Sequence, residues 1–443
     1  MNNKLAQDFN LKSLLKFALP TTIMMIFMAM YQVIDGVFVS RFINEYALSA
    51  INIVYPVVSV IIALSIMLAT GGSAIIAKNM GEGKNKEAKE NFTFFVCVGF
   101  ILGIIITIFG LIFMKEIITK LGSTELLFDY CYQYLFVLTL VVPFIIVQML
   151  FQNFFVAASK PHLGLFLTIL GGVLNIGLDY LFIVPFKMGM IGASLATAIG
   201  YTLPAIIGLL YFSFYREGSL YFVKPVIRMK TLLLGCSNGA SEMVNNLAVA
   251  ITTFIFNDLM LKYASENGVA AITIILYSQW LLTSIFVGFS TGISPIVSYN
   301  YGANNHTQLK KVFKNSVLFV ITTSLIIFMI GEIFKDYIIV IFANKDSETF
   351  KIAHQGFSLF SISFLFTGIN IFASALFTAF NNGVVSAILS FLRTFLFLIV
   401  SLYGLSCLFE LNGVFLSVPV AEFLGLITSI FFIIKYRKIY HYN

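Results

Sequence analysis

GGSAIIAKNMG, residues 71–81, returns 221 residues later as GISPIVSYNYG, residues 292–302. The overlay sets Gly71 on Gly292, Ser73 on Ser294, Asn79 on Asn300 and Gly81 on Gly302. The same offset pairs Gly110, Ile112 and Phe113 with Gly331, Ile333 and Phe334, then Phe151 with Phe372 and Gly192 with Gly413. One ungapped offset that holds from residue 71 to 192 marks a duplicated chain. The halves are expected at 1–215 and 231–443, joined by the basic, proline-containing stretch REGSLYFVKPVIRMK at 216–230.

Both copies lie in very apolar surroundings. Of 443 residues, 59% are hydrophobic and only 11% charged, against roughly 25% charged in a soluble domain. So little polar surface cannot cover such a core in water, so the bilayer is its solvent. A helix needs about 20 apolar residues to cross the hydrocarbon. Such runs are predicted at 14–40, 50–77, 92–114, 130–158, 163–185, 189–214, 231–261, 268–298, 314–338, 351–379, 384–406 and 412–434. They are continuous and do not alternate, which excludes a barrel. The expected fold is an all-α membrane protein of twelve transmembrane helices in two six-helix lobes. Six spans per lobe give both lobes one orientation, so a pseudo-twofold axis runs along the membrane normal.

The net charge of +7 follows topology. With the amino terminus inside, about 18 Lys and Arg collect on one side and about 8 on the other, a positive-inside bias. Both termini are therefore expected in the cytoplasm of a multi-pass protein of the inner (plasma) membrane, and the basic excess is no sign of nucleic-acid binding. The amino-terminal MNNKLAQDFNLKSLLK shows no secretory cleavage pattern and leads into the first span. Cys97, Cys131, Cys236 and Cys407 lie in or beside apolar runs and read as small buried residues. Gly99/Gly103 and Gly288/Gly292 are small-xxx-small pairs that suit close helix packing. Pro20, Pro56, Pro143, Pro204, Pro295 and Pro419 fall inside predicted spans, where they bend helices. Most of the 48 Phe and 20 Tyr face lipid or pack.

Most ionisable residues lie in loops, and the informative ones inside spans are Asp35, Asp179, Glu242, Arg393 and Glu422. A carboxylate at mid-bilayer costs at least ~2.5 kcal/mol and is kept where it faces a cavity or a partner. Low dielectric favours the neutral form of such a group, and a monovalent cation can replace the proton. Asp35 and Asp179 are the favoured pair. Tyr31 lies one turn from Asp35, and Asn175 one turn from Asp179. Thr197 adds a hydroxyl, and these hard oxygens suit Na+ as well as a protonated carboxyl. Glu242 is a further candidate for meeting cargo. Arg393 is expected to snorkel to the cytoplasmic surface. Glu422 stands at the repeat position of Tyr201 and has no assigned role.

With VIDGVFVS at 33–40, GGSAIIAKNMGEGK at 71–84, NIGLDYLFI at 175–183 and SEMVNNLAVAITTFIFN at 241–257, the chain resembles the multidrug and toxic-compound extrusion (MATE) family over essentially its whole length. The resemblance implies an amino-lobe Na+ or H+ site mapping onto Asp35, Asn175, Asp179 and Thr197, with Tyr31 and Asn153 as weaker members. It implies cargo contact at Glu242, Asp35 and Asp179, and a Na+ ligand role for the two aspartates. The implied activity is antiport of amphipathic organic cations against Na+ or H+ by alternating access. No cofactor is expected beyond the coupling ion, and the expected state is a monomer in the bilayer.

Rival classes fit less well. A lipid-linked-sugar flippase of the same superfamily needs cavity cations for pyrophosphate, and only Arg393 is offered. KNMGEGKNKEAKE lacks the pattern of a major facilitator loop between spans two and three. No GxSxG or Walker A sequence occurs, and His162, His306, His354 and His441 have no metal spacing, which argues against an enzyme or an ATP-driven pump.

Overall fold

The computed structural model describes residues 4–43 and 45–442, with the side chains at 4, 32–41, 45, 46, 48 and 250 outside the description. A single 3-10 turn, Lys4–Ala6, precedes α1 (Leu11–Phe42). Asn10 starts α1. Its Oδ1 accepts from the Ser13 amide at 2.8 Å, while its own amide donates to Ser13 Oγ at 2.9 Å, a reciprocal cap that satisfies two otherwise orphaned donors. The next elements are α2 (Glu45–Gly81), α3 (Asn85–Ile112), the short α4 (Met114–Lys120), α5 (Glu125–Leu140), α6 (Val142–Ala157), α7 (Pro161–Ile183) and α8 (Gly189–Phe214). Pro143 and Pro161 sit in the first turns of α6 and α7, where a missing amide hydrogen costs nothing.

The second half repeats this order. The first element, α9 (Met229–Gly302), holds two spans that meet at Ala264 and Ser265, where the backbone leaves helical geometry. Then come α10 (His306–Val340), α11 (Glu348–Ser361), α12 (Phe364–Ala379), α13 (Gly383–Phe391), a π-helical turn at Leu392–Phe397, and α14 (Leu398–Tyr440), which reverses at Glu410. Two predicted spans are broken helices. Between α5 and α6 the chain bends by 60°, and between α11 and α12 by 53°. With these bends each counted as one crossing, and with α9 and the stretch 383–440 each counted as two across their breaks, twelve spans result, and among the described residues there is no strand. The breaks fall at Val141 and Ile362, which the 221-residue offset superimposes. Phe109, Ile112, Phe254, Ile333 and Leu408 are exposed on the outer faces, as a lipid-facing surface requires.

The offset is also visible in how the lobes touch. A Cβ on Gly81 would run into the carbonyl of Tyr299, and one on Gly302 into the carbonyl of Lys78. Those contacts exchange under the 221-residue shift, as two copies around a twofold axis must. The same holds further in. A Cβ on Gly71 would lie 2.9 Å from the Gly239 amide nitrogen, and one on Gly292 would lie 3.0 Å from the Ala18 Cα. Small residues thus let α1, α2 and the two spans of α9 meet backbone to backbone. Gly103 does likewise within the amino lobe against the Pro143 backbone of α6, and Gly99 makes room for the Leu150 side chain. Gly302→Ala should therefore cost about 1–3 kcal/mol, as overpacking at a tight contact does. Thermal unfolding of the purified protein checks this, and an unchanged midpoint would mean the backbones are not in contact.

The connecting segments at this end are tucked in as pairs. Phe222, beyond α8, stacks on Phe92 of α3 with centroids 5.2 Å apart, and Tyr442, beyond α14, lies 4.7 Å from Phe313 of α10. Phe92 and Phe313 are repeat partners. Lys89 donates to the Tyr221 hydroxyl at 2.9 Å, and that hydrogen bond holds the phenol below its ordinary pKa.

Candidate functional site

In the amino lobe α7 and α8 approach through glycine. A Cβ on Gly171 would stand 2.5 Å from the Gly200 carbonyl oxygen. Gly172 lets α1 lie across α7, with Tyr31 Cδ1 3.5 Å from where a Cβ would be. A narrow cleft opens among these helices, bordered by Tyr31, Gln148, Gln152, Asn175, Thr197 and Tyr201 among others. Asn175 donates through Nδ2 to Thr197 Oγ1 at 3.3 Å, and Thr197 hands its own proton to the Ala193 carbonyl at 3.1 Å. Asn175 Oδ1 is left buried without a hydrogen-bond partner among the described residues. Such a polar oxygen is costly to bury unmatched, and it is the donor type a hard monovalent cation takes. Asp179 follows one turn along α7 and has 0% exposure.

Tyr31, Asn175 and Thr197 thus border one cleft, with Asp179 on the same helix face as Asn175. Asp35 belongs to α1, but its side chain lies outside the described residues. Asn153 is buried in α6 and is not among the cleft walls. Its helix presents Gln148 and Gln152 instead, and Gln152 reaches Thr168 Oγ1 at 3.4 Å. These two glutamines share a helix face through their four-residue spacing, and the sequence expectation names Asn153 in their place.

The carboxy lobe is built differently at the matching place. Arg393 stands on the π-helical turn, a local distortion often tied to function. It does not snorkel. Its side chain is only 12% exposed, and Nη1 lies 3.6 Å from Glu422 Oε1. Asn370 donates to Glu422 Oε2 at 2.6 Å, and Ser429 donates to Asn370 Oδ1 at 2.9 Å. Burial explains why the guanidinium turns inward. A carboxylate held in α14 needs a cation more than the guanidinium needs the surface. Glu242, in the first span of α9, lies within electrostatic reach of Arg393, and its carbonyl accepts from Asn246 Nδ2 at 2.9 Å. By the repeat offset Arg393 replaces Gly172, and Glu422 replaces Tyr201. Where the amino lobe has a cleft, the carboxy lobe holds an ion pair.

The MatE family model matches residues 20–181 and again 243–403, one stretch in each lobe. The chain belongs to the MatE family. It is a multi-pass membrane transporter and not an enzyme. Among its MATE relatives is the multidrug export protein MepA of Staphylococcus haemolyticus, 23% identical over 428 residues that cover 96% of this chain and 94% of that one. MepA of Staphylococcus aureus is 25% identical over 421 residues, covering 93% and 90%. The outward-facing conformation of a multidrug resistance MATE transporter superimposes with a TM-score of 0.93 at 20% identity, over 100% of this chain and 99% of that one. The twelve-span, two-lobe MATE fold is therefore shared. Among the described residues no three His, Cys, Asp or Glu side chains gather as a metal cluster.

Proposed function

We propose that this chain is a secondary antiporter of the inner membrane that expels amphipathic organic cations in exchange for Na+ or H+. The observation that carries the reading is the wholly buried carboxyl of Asp179, one turn from Asn175 and the amino-lobe cleft. A buried acid at a polar cleft is where a travelling positive charge is held. Asp35 is its proposed partner, with Tyr31, Asn175 and Thr197 supplying oxygens and Asn153 a more distant member. Glu242 meets cargo from the carboxy lobe. In that lobe Glu422 already has Arg393 as a built-in cation, which favours the amino lobe as the ion site. The lobes are proposed as 1–215 and 231–443, working as a monomer, with both termini and the basic loops in the cytoplasm. The glycine contacts then close the cytoplasmic end, in keeping with the likeness to an outward-facing relative. Relatives named as multidrug exporters support the choice of cargo. A flippase is disfavoured because Arg393 is engaged by Glu422 and not presented to a pyrophosphate.

Vesicles containing the purified protein and a cationic dye test this. An imposed Na+ gradient or an imposed pH gradient, applied separately, should drive dye movement at least about tenfold above protein-free vesicles. Equal dye movement with and without either gradient would overturn the antiport reading.

A further inference from the structure

The first helix of each lobe is tied at its start to the other lobe. Arg228 immediately precedes Met229, the first residue of α9, and its guanidinium sits on the start of α3. Nη2 lies 2.7 Å from Glu90 Oε2, and Nη1 lies 3.2 Å from both Glu87 Oε1 and Asn91 Oδ1. Asp8 and Phe9 precede α1, and they sit on the start of α10. Gln308 Nε2 donates to the Phe9 carbonyl at 3.2 Å, and Lys311 Nζ lies 3.1 Å from Asp8. Glu87 and Glu90 are the repeat partners of Gln308 and Lys311. The two ties are therefore one device used twice around the pseudo-twofold axis, with the charges reversed.

They are unequal in strength. Leu5 and Phe9 are fully buried, so the first tie is chiefly apolar. Its ion pair is exposed at 50% for Lys311 and 71% for Asp8 and contributes little. The second tie is ionic. Glu90 is 11% exposed and Arg228 29%, and one guanidinium donates to Glu90 and Asn91 while pairing with Glu87, charge-assisted bonds being the strong kind.

The linker is made so that this second tie can let go. It is fixed to the amino lobe as far as Val223, whose amide donates to Thr93 Oγ1 at 3.1 Å. Residues 224–227 are then exposed. Released at Arg228, such a run reaches about 17 Å when extended, enough for the start of α9 to swing away from α3 without undocking the rest.

We propose that Arg228, with Glu87, Glu90 and Asn91, is an ionic latch between the lobes whose release governs how often the termini-bearing end opens. The apolar tie at Phe9 is its weaker-charged counterpart. The inference rests on the alternating-access reading, but its readout needs neither cargo nor ion.

Nitroxide labels at K86C and T307C, exposed repeat partners on opposite lobes, report the opening by pulsed electron-spin distance measurements. The full chain is used in lipid nanodiscs, with its four native cysteines replaced by alanine. R228Q should raise the long-distance population about tenfold over the parent, as loss of a charged hydrogen-bond set implies. E90Q should act in the same direction, which covers poor folding of the Arg228 variant. D8N should change the population less than about twofold. A distribution in R228Q or E90Q equal to the parent's overturns the latch. A parent that opens in this assay yet moves no dye under either gradient sinks the antiport reading and leaves the latch standing.

Discussion

Asp179→Asn should lower gradient-driven dye efflux at least about tenfold without lowering the unfolding temperature. The two readouts separate the roles open to a buried acid. Asparagine has the same shape and still hydrogen-bonds, but it takes no proton and offers a cation no net charge. If Asp179 serves to hold an ion, the substitution removes the ion's counter-charge and the coupling disappears. Stability is kept or improved, because a neutral amide is easier to bury than a carboxylate. If Asp179 only ties α7 to its neighbours, the opposite pattern follows: lower stability with ordinary efflux per folded molecule. Asn175→Ala should show a milder version. It removes the buried Oδ1 and the donor to Thr197 while sparing the charge, so ion dependence should weaken before maximal efflux does. Efflux by D179N at the parental rate would remove the amino-lobe acid from the transport cycle.

The spans were legible because length and hydropathy decide them with little help from tertiary context. Breaks within spans were not. Pro143 hints at the bend after α5, but Ile362 carries no such signal, and only the repeat offset from Val141 marks its place. A sequence also gives depth poorly. Arg393 has a long side chain that could reach the surface, so snorkelling is the expectation. The contrary signal was Glu422, an acid in a span, which demands a cation from another helix, and Arg393 is the cation that falls near the middle of a predicted span. The amino-lobe cleft was partly legible. The four-residue spacing placed Asn175 and Asp179 on one face, and Thr197 was identified as a hydroxyl source. Asn153 and the two glutamines differ by register alone, and α6 is buried all round, so periodicity could not choose between them. The ties at Asp8 and Arg228 escaped because basic residues near helix ends were read as topology markers. That reading accounts for their side of the membrane and says nothing about what they touch.

Arg393→Met should cost about 3 kcal/mol of stability, because the pair it belongs to is buried on both sides, at 12% and 10% exposure. The loss comes less from the attraction removed than from the carboxylate left behind. Glu422 would keep its hydrogen bond from Asn370 but would have no cation. Glu242, also within reach of Arg393, would lose the same partner. Two consequences follow that a simple packing defect would not give. First, R393M combined with Glu422→Gln should recover most of the loss, since an amide no longer needs a counter-charge, and the coupling between the two changes is read from a double-mutant cycle of unfolding midpoints. Second, Na+ should stabilise R393M more than it stabilises the parent, because Glu422 would then be a buried acid that has lost its guanidinium, beside space vacated by a side chain. A double variant as unstable as the single one, together with no added response to Na+, would show that Arg393 supports α14 through its aliphatic stem and that the charge contributes nothing.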